Sequence, residues 1–186
     1  MKNVYELQVA GLHRQLPLCP LNEALYIGAF VIFGDPELTS ACARALLQVA
    51  PAYDYMITAE SKGIPLVHEM ARLAGNQKYF VARKRPKLYM TDVFAVTVHS
   101  ITTQGEQKLY LDVADAALMK GKRVLLVDDV ISTGESLRAL EELVTAAGAE
   151  VAGRMCILAE GDARSRQDIQ YLAPLPLFDK NGDPIE

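Results

Sequence analysis

The chain has 186 residues, 51% of them hydrophobic and 23% charged, with a net charge of −4 at neutral pH. That length buries one substantial core and hardly two, and the acidic balance argues against a nucleic-acid surface while leaving room for a local basic patch. No run of about 18 apolar residues occurs, and the opening Met1-Lys-Asn-Val-Tyr-Glu lacks the apolar heart of a signal peptide, so neither a membrane span nor export is expected.

About 35 residues precede the first helix signal, and they hold only Lys2 and Arg14 as cations, too short and too weakly basic for a winged helix. Asp35-Pro36 then supplies a cap and a first-turn proline for a helix over Glu37 to Ala50. Tyr53 to Ala59 reads as a buried strand, Pro65 to Leu73 as a helix stopped by Gly75, and Lys78 to Ala82 as another strand, which makes a βαβ unit. Val93 to Ser100 and Gln107 to Val113 alternate apolar with polar residues around Thr102-Thr-Gln-Gly-Glu106, the pattern of an exposed hairpin. A short helix follows over Ala114 to Lys120, a strand over Arg123 to Val127, a helix over Glu135 to Ala147 closed by Gly148, and a last core strand over Val151 to Ala159. The proline-rich end from Ala173 is expected to be irregular but packed. The sum is one α/β domain over 1–186 with a doubly wound, mostly parallel sheet. Cys19, Cys42 and Cys156 show no CxxC spacing and read as reduced thiols, consistent with a cytoplasmic protein.

The chemistry concentrates in Val124-Leu-Leu-Val-Asp128-Asp129-Val130-Ile131-Ser132-Thr133-Gly134-Glu135-Ser136, a strand that ends in two carboxylates and runs through a hydroxyl-rich turn into a helix. Gly134 permits close backbone approach, the hydroxyls donate, and free N–H groups at the helix start favour an anion. Two carboxylates beside a phosphate would repel it, so they suit ribose hydroxyls or Mg²⁺ held through water. Neither a Walker A ending nor a three-glycine dinucleotide fingerprint is present in this loop.

The stretch resembles the phosphoribosyl-pyrophosphate (PRPP) signature of type I phosphoribosyltransferases: four apolar residues, two acids, two apolar residues, then Ser-Thr-Gly. The resemblance implies that Asp128 and Asp129 act at the ribose, Asp129 also stabilising a developing cation, and that Val130 to Ser136 binds the 5′-phosphate. Glu60-Ser61-Lys62-Gly63, after the first core strand, resembles the family's pyrophosphate loop, and backbone N–H groups with Lys62 suit a second phosphate group. Arg83-Lys84-Arg85-Pro86-Lys87 places four cations within five residues at a strand end. There Arg83-Lys84 and Lys87 resemble the basic turn of purine enzymes, and the stretch from about Met90 to Tyr110 resembles the mobile loop that closes over PRPP. The family further implies a homodimer, Mg²⁺ with PRPP, and a base-binding hood made from the chain ends, about 1–35 and 161–186 around a core of about 36–160.

In the hood segments Phe30, Phe33 and Phe178 are candidates for stacking on a flat base, although isolated aromatics more often serve the core. Gly28 to Asp35 resembles a degenerate form of an adenine-enzyme segment, whereas Ala82-Arg-Lys84, Met90-Thr-Asp92 and Val98-His-Ser100 with Thr102 and Gln104 resemble xanthine enzymes. After the last core strand, Glu160 stands where 6-oxopurine enzymes commonly carry a lysine, and an acceptor there suits an exocyclic amine. Adenine therefore ranks slightly ahead of xanthine or hypoxanthine, with a pyrimidine well behind. Asp128, Glu160 and His99 remain open as a general acid or base, and His13, His68 and His99 show no metal-ligand spacing. The expected reaction is transfer of the phosphoribosyl group of PRPP to a purine, releasing pyrophosphate. The alternative is a non-catalytic PRPP sensor, as in some transcription regulators, though such proteins need a basic nucleic-acid element that this chain lacks. PRPP synthetases, built from two such domains, are too long to fit.

Overall fold

The computed structural model describes residues 2–90, 92–99 and 106–185, the side chains of 98, 99, 106 and 107 excepted. The turn expected over Thr102 to Glu106, with Gln104, therefore lies largely outside the described residues, as does the His99 side chain. Among the described residues the chain runs β1 (Val4–Val9), β2 (Leu12–Pro20), β3 (Tyr26–Gly28), α1 (Pro36–Val49), β4 (Tyr55–Ala59), α2 (Gly63–Ala74), β5 (Phe80–Ala82), β6 (Val93–His99) and β7 (Glu106–Asp112). It continues through α3 (Val113–Met119), β8 (Arg123–Ile131), α4 (Glu135–Ala146), β9 (Glu150–Glu160), a 3₁₀ turn (Gly161–Ser165), β10 (Gln170–Leu175), β11 (Leu177–Phe178) and β12 (Pro184–Ile185).

The central sheet has the order β10-β9-β8-β4-β5 with every neighbouring pair parallel. Its strands are apolar on both faces, as a sheet covered by helices requires. Along β8, Val124 and Leu126 enter one apolar cluster with α4, whereas Leu125 and Val127 enter the other with α1 and α2. That alternation fixes the register, because a slip of one residue would exchange the two faces. The helices start and stop where their local chemistry dictates. Asp35 Oδ1 accepts the Leu38 N–H at 2.9 Å ahead of Pro36, and Gly75, at φ 71°, closes α2.

Three expectations change. The end from Ala173 is not wholly irregular: it completes β10 (Gln170–Leu175), which joins β9 as the outermost core strand, so the core sheet extends well past 160 and Val151 to Ala159 is not its last strand. Pro174 is tolerated there because β10 is an edge, where a missing N–H leaves no partner unsatisfied. The first 35 residues form a β-hairpin and a third strand, and with β11 and β12 they make a second, antiparallel sheet β1-β2-β3-β11-β12. Ala10 and Gly11, both at positive φ, make the two-residue turn of that hairpin, which a search for Asn-Gly or Asp-Gly passes over. The β6–β7 hairpin is exposed on one face only, since Leu109 and Leu111 are buried in the cluster that contains α4.

Candidate active site

From β4 the chain crosses to β5 on one side of the sheet, and the later strands β8, β9 and β10 add on the other. The crevice at such a reversal, beyond the carboxyl ends of the adjacent strands, is where open α/β sheets place ligands. Here the two ends are the Glu60–Gly63 turn after β4 and the acid-rich end of β8. Gly63 opens α2, and a Cβ on it would overlap Thr58 Oγ1 and stand 3.2 Å from Asp128 Oδ1. Glycine is what lets the turn sit against the carboxylates.

The strand β8 runs through Asp128 and Asp129 to Ile131, so both acids are held by the sheet rather than by a loop. Asp129 is 4% exposed, and its Oδ2 has no hydrogen-bond donor among the described residues. Lys62 Nζ lies 3.3 Å from that oxygen, at an angle that makes an ion pair but not a hydrogen bond. Asp128 Oδ1 accepts the Asp129 N–H at 2.9 Å. Burial, together with the neighbouring Asp129 charge, raises the Asp128 carboxyl far above its ordinary value, with Lys62 opposing.

Beyond the acids, Val130, Ile131 and Ser132 to Leu137 line with Asp128 a small pocket of about 60 Å³. Gly134 adopts φ +79° at the N-cap of α4, the left-handed conformation that a Cβ disfavours. Ser132, Thr133 and Ser136 are exposed, whereas the Ile131 side chain is buried in the core and offers the pocket only backbone. The upstream basic turn meets the crevice through Glu60. Its Oε1 lies 3.3 Å from both Arg83 Nη1 and Lys87 Nζ, and its Oε2 accepts the Lys84 N–H at 3.1 Å. Burial opposes ionisation of Glu60, but the Lys84 N–H, Lys87 and Arg83 outweigh it and hold the carboxyl below its ordinary value. Arg83 also exchanges both backbone hydrogen bonds with Tyr110, each at 2.8 Å, which ties the turn to the root of the β6–β7 hairpin.

Glu60 to Gly63, the basic turn, the acid pair and the hydroxyl loop thus come together. Glu160 ends β9, with its carboxyl raised by burial against the pull of Lys62. Phe30 does not join them. At 4% exposure it packs in the cluster with Leu16, Ile32 and Leu175, so neither face of its ring is free for stacking. Phe178 is likewise buried, against Tyr5, with ring centroids 5.0 Å apart. Phe33 is half exposed beside Gly34, open to solvent. One residue at the crevice has no counterpart in the sequence reading: Arg166, whose Nη1 fills the space that a Cβ on Gly134 would need. An arginine in Ala163-Arg-Ser-Arg-Gln-Asp168 carries no spacing that marks it out; only the fold brings it to the loop.

A family model described as the phosphoribosyl transferase domain matches residues 36–173, spanning every element of this crevice. The chain belongs to that family. Among relatives, it is 32% identical over 135 residues to a hypoxanthine/guanine phosphoribosyltransferase of Methanococcus voltae, covering 73% of this chain and 68% of the relative. It is 36% identical over 111 residues to one of Methanotorris igneus, covering 60% and 56%. Among solved structures, adenine phosphoribosyltransferase from Thermoanaerobacter pseudethanolicus superposes with TM-score 0.70 at 20% identity, covering 86% of this chain and 95% of that one. The Saccharomyces cerevisiae enzyme gives 0.61 at 21%, covering 92% of each. The likeness to these solved structures is one of fold, the doubly wound α/β arrangement described above.

Proposed function

We propose that this phosphoribosyltransferase transfers the 5-phosphoribosyl group of PRPP to a purine ring nitrogen, giving a nucleoside 5′-monophosphate and pyrophosphate. The observation that carries the reading is Asp129, a carboxylate buried at the end of the central strand whose Oδ2 is ion-paired with Lys62 but accepts no hydrogen bond among the described residues. A buried polar atom without a partner costs stability, and a ribose hydroxyl or hydrated cation supplies the donor it lacks.

The chain's residues divide the work by charge. The hydroxyls and backbone of Val130 to Ser136 hold the 5′-phosphate, and Asp128 and Asp129 orient the ribose. The Glu60–Gly63 turn with Lys62, and the basic turn of Arg83, Lys84 and Lys87, hold the diphosphate. Bond breaking at C1 places positive charge on the ribose and negative charge on the leaving group, so the carboxylate faces the developing cation and the lysine the departing anion, each of opposite sign. Asp129, whose Oδ2 accepts no hydrogen bond among the described residues, would suit a water-mediated contact to Mg²⁺ brought with the diphosphate. When bound, the ion neutralises the leaving diphosphate.

Within the purines, the relatives named above favour a 6-oxopurine, and Glu160 does not discriminate, because a carboxylate can accept from N1–H of hypoxanthine or guanine as well as from the exocyclic amine of adenine. We therefore place hypoxanthine and guanine ahead of adenine, changing the order that the sequence alone suggests. A homodimer is supported by the basic turn, where Leu88 and Tyr89 are fully and two-thirds exposed, apolar surface that a second copy would cover. A cytoplasmic setting suits the free thiols of Cys42 and Cys156.

The test is pyrophosphate release from PRPP and Mg²⁺ with hypoxanthine, guanine, adenine, xanthine and orotate supplied separately. Turnover with hypoxanthine or guanine is expected, and Asp128→Asn with Asp129→Asn should lower it at least about 100-fold while the fold survives. Full activity in that double variant would remove the acid pair from its role. Silence with all five bases while PRPP still binds would make the chain a sensor.

A further inference from the structure

The loop that this reading assigns to the 5′-phosphate touches a guanidinium from a distant part of the chain. Arg166 follows the 3₁₀ turn after β9, and its Nη1 packs directly on Gly134, at the point where α4 begins. Its other two nitrogens are committed. Nε donates to Asp168 Oδ1 at 2.9 Å and Nη2 to Asp168 Oδ2 at 2.7 Å, a two-pronged pairing that fixes the plane of the group. Asp168 is steadied in turn by Arg154, 3.9 Å away, which forks onto Glu141 of α4. The result is a chain of charges from α4 to Gly134 in which Nη1 is the prong that Asp168 does not use.

A cation at the start of a helix faces the positive end of the dipole, which is unfavourable in isolation. The same position becomes favourable once a doubly charged anion sits between the helix N–H groups and the guanidinium. Arginine suits this role better than lysine, because Asp168 can grip one edge of the fork while the remaining nitrogen stays directed at the loop. Only a third of the side chain is exposed, so its charge is partly sheltered from solvent.

We propose that Arg166 is a further substrate-binding residue, donating from Nη1 to the 5′-phosphate of PRPP, with Asp168 as the positioning residue that holds it on Gly134. The proposal rests on the assignment of the 132–136 loop to that phosphate. It also gives Gly134 a second reason to lack a side chain: a Cβ there would strain the backbone and also push the guanidinium away from the ligand.

The experiment separates the two halves of PRPP. Ribose 5-phosphate and pyrophosphate are titrated individually, by calorimetry, into the wild type, Arg166→Gln, Arg166→Lys and Asp168→Asn. Loss of one charge-assisted hydrogen bond to phosphate is expected to weaken ribose 5-phosphate binding by about 10- to 100-fold in Arg166→Gln. Pyrophosphate affinity should stay at the wild-type value, and Arg166→Lys and Asp168→Asn should fall in between. The salt dependence of ribose 5-phosphate binding should also become shallower in Arg166→Gln. Equal binding of ribose 5-phosphate by wild type and Arg166→Gln overturns the proposal, as does an equal loss of both ligands, which marks a general lesion. A wild type that binds pyrophosphate but not ribose 5-phosphate overturns the assignment of the loop itself, and the role of Arg166 with it.

Discussion

Replacing Gly63 by alanine tests the packing that joins the two loops of the crevice. The added methyl would overlap Thr58 Oγ1, lie 3.3 Å from Thr58 Cβ and stand 3.2 Å from Asp128 Oδ1. Thr58 is wholly buried, and its hydroxyl makes only a long 3.4 Å bond to Ala59 O, so it cannot swing into solvent to make room. Overpacking of this kind costs about 1–3 kcal/mol, while alanine gains back up to about 1 kcal/mol of helix propensity at the start of α2. The expected net loss of about 1–2 kcal/mol lowers the melting temperature by roughly 2–8 °C in a chain of this size. The partner change Thr58→Ala removes the overlapping oxygen and leaves a space of the right size. Thr58→Ala alone should destabilise, yet in combination with Gly63→Ala it should restore most of the loss, a coupling of at least about 1 kcal/mol. Thermal melts of the four proteins decide it. An alanine at 63 that melts with the wild type, or two changes whose costs simply add, would refute the close approach of turn and strand.

Other outcomes follow from the same geometry. Asp128→Asn should stabilise the fold at neutral pH. Because the carboxyl is raised in the folded chain, the native state binds more protons than the unfolded one above the ordinary value of 3.8, so the wild type loses stability as pH rises through that window. The advantage of the variant should be slight near pH 4 and larger by about 1 kcal/mol or more near pH 8 in urea titrations, and an advantage that shrinks with pH would contradict the burial argument. Lys62→Met leaves Asp129 without its cation and should raise the KM for PRPP about tenfold in initial-rate assays, whereas an unchanged KM would detach Lys62 from the diphosphate. Leu88→Asp with Tyr89→Asp should halve the mass seen by sedimentation if these side chains lie between two copies, and a wild type that already sediments as a monomer would reject the homodimer.

How much of this was legible beforehand depends on the range of the physics involved. The cap at Asp35, the stop at Gly75 and the acid pair are set within a few residues, and local chemistry names them. The edge strand Gln170–Leu175 was hidden by Pro174 and the Pro176 that follows it, which read as irregular until pairing with β9 shows an edge strand, where proline is tolerated. Of the first three strands, β1 and β2 form a local hairpin hidden by its Ala10-Gly11 turn, while β3 also pairs with β11 from the far end of the chain, a partnership that no window of sequence contains. Phe30 and Phe33 look alike in sequence and part company only when packing buries one and exposes the other. Arg166 reaches Gly134 across more than thirty residues and could be found only in three dimensions.

The double backbone bond between Arg83 and Tyr110 has a bearing on order of events. The same residue that binds the root of the hairpin through its main chain grips Glu60 through its side chain. On the proposed assignment of Arg83 and Lys87 to the diphosphate, a ligand that competes with Glu60 for them would tug on the hairpin as it lands. Arrival of the ligand and placement of the strands that flank it are two readings of one equilibrium, so a change that loosens the hairpin root should be felt as weaker diphosphate affinity without any ligand contact being touched.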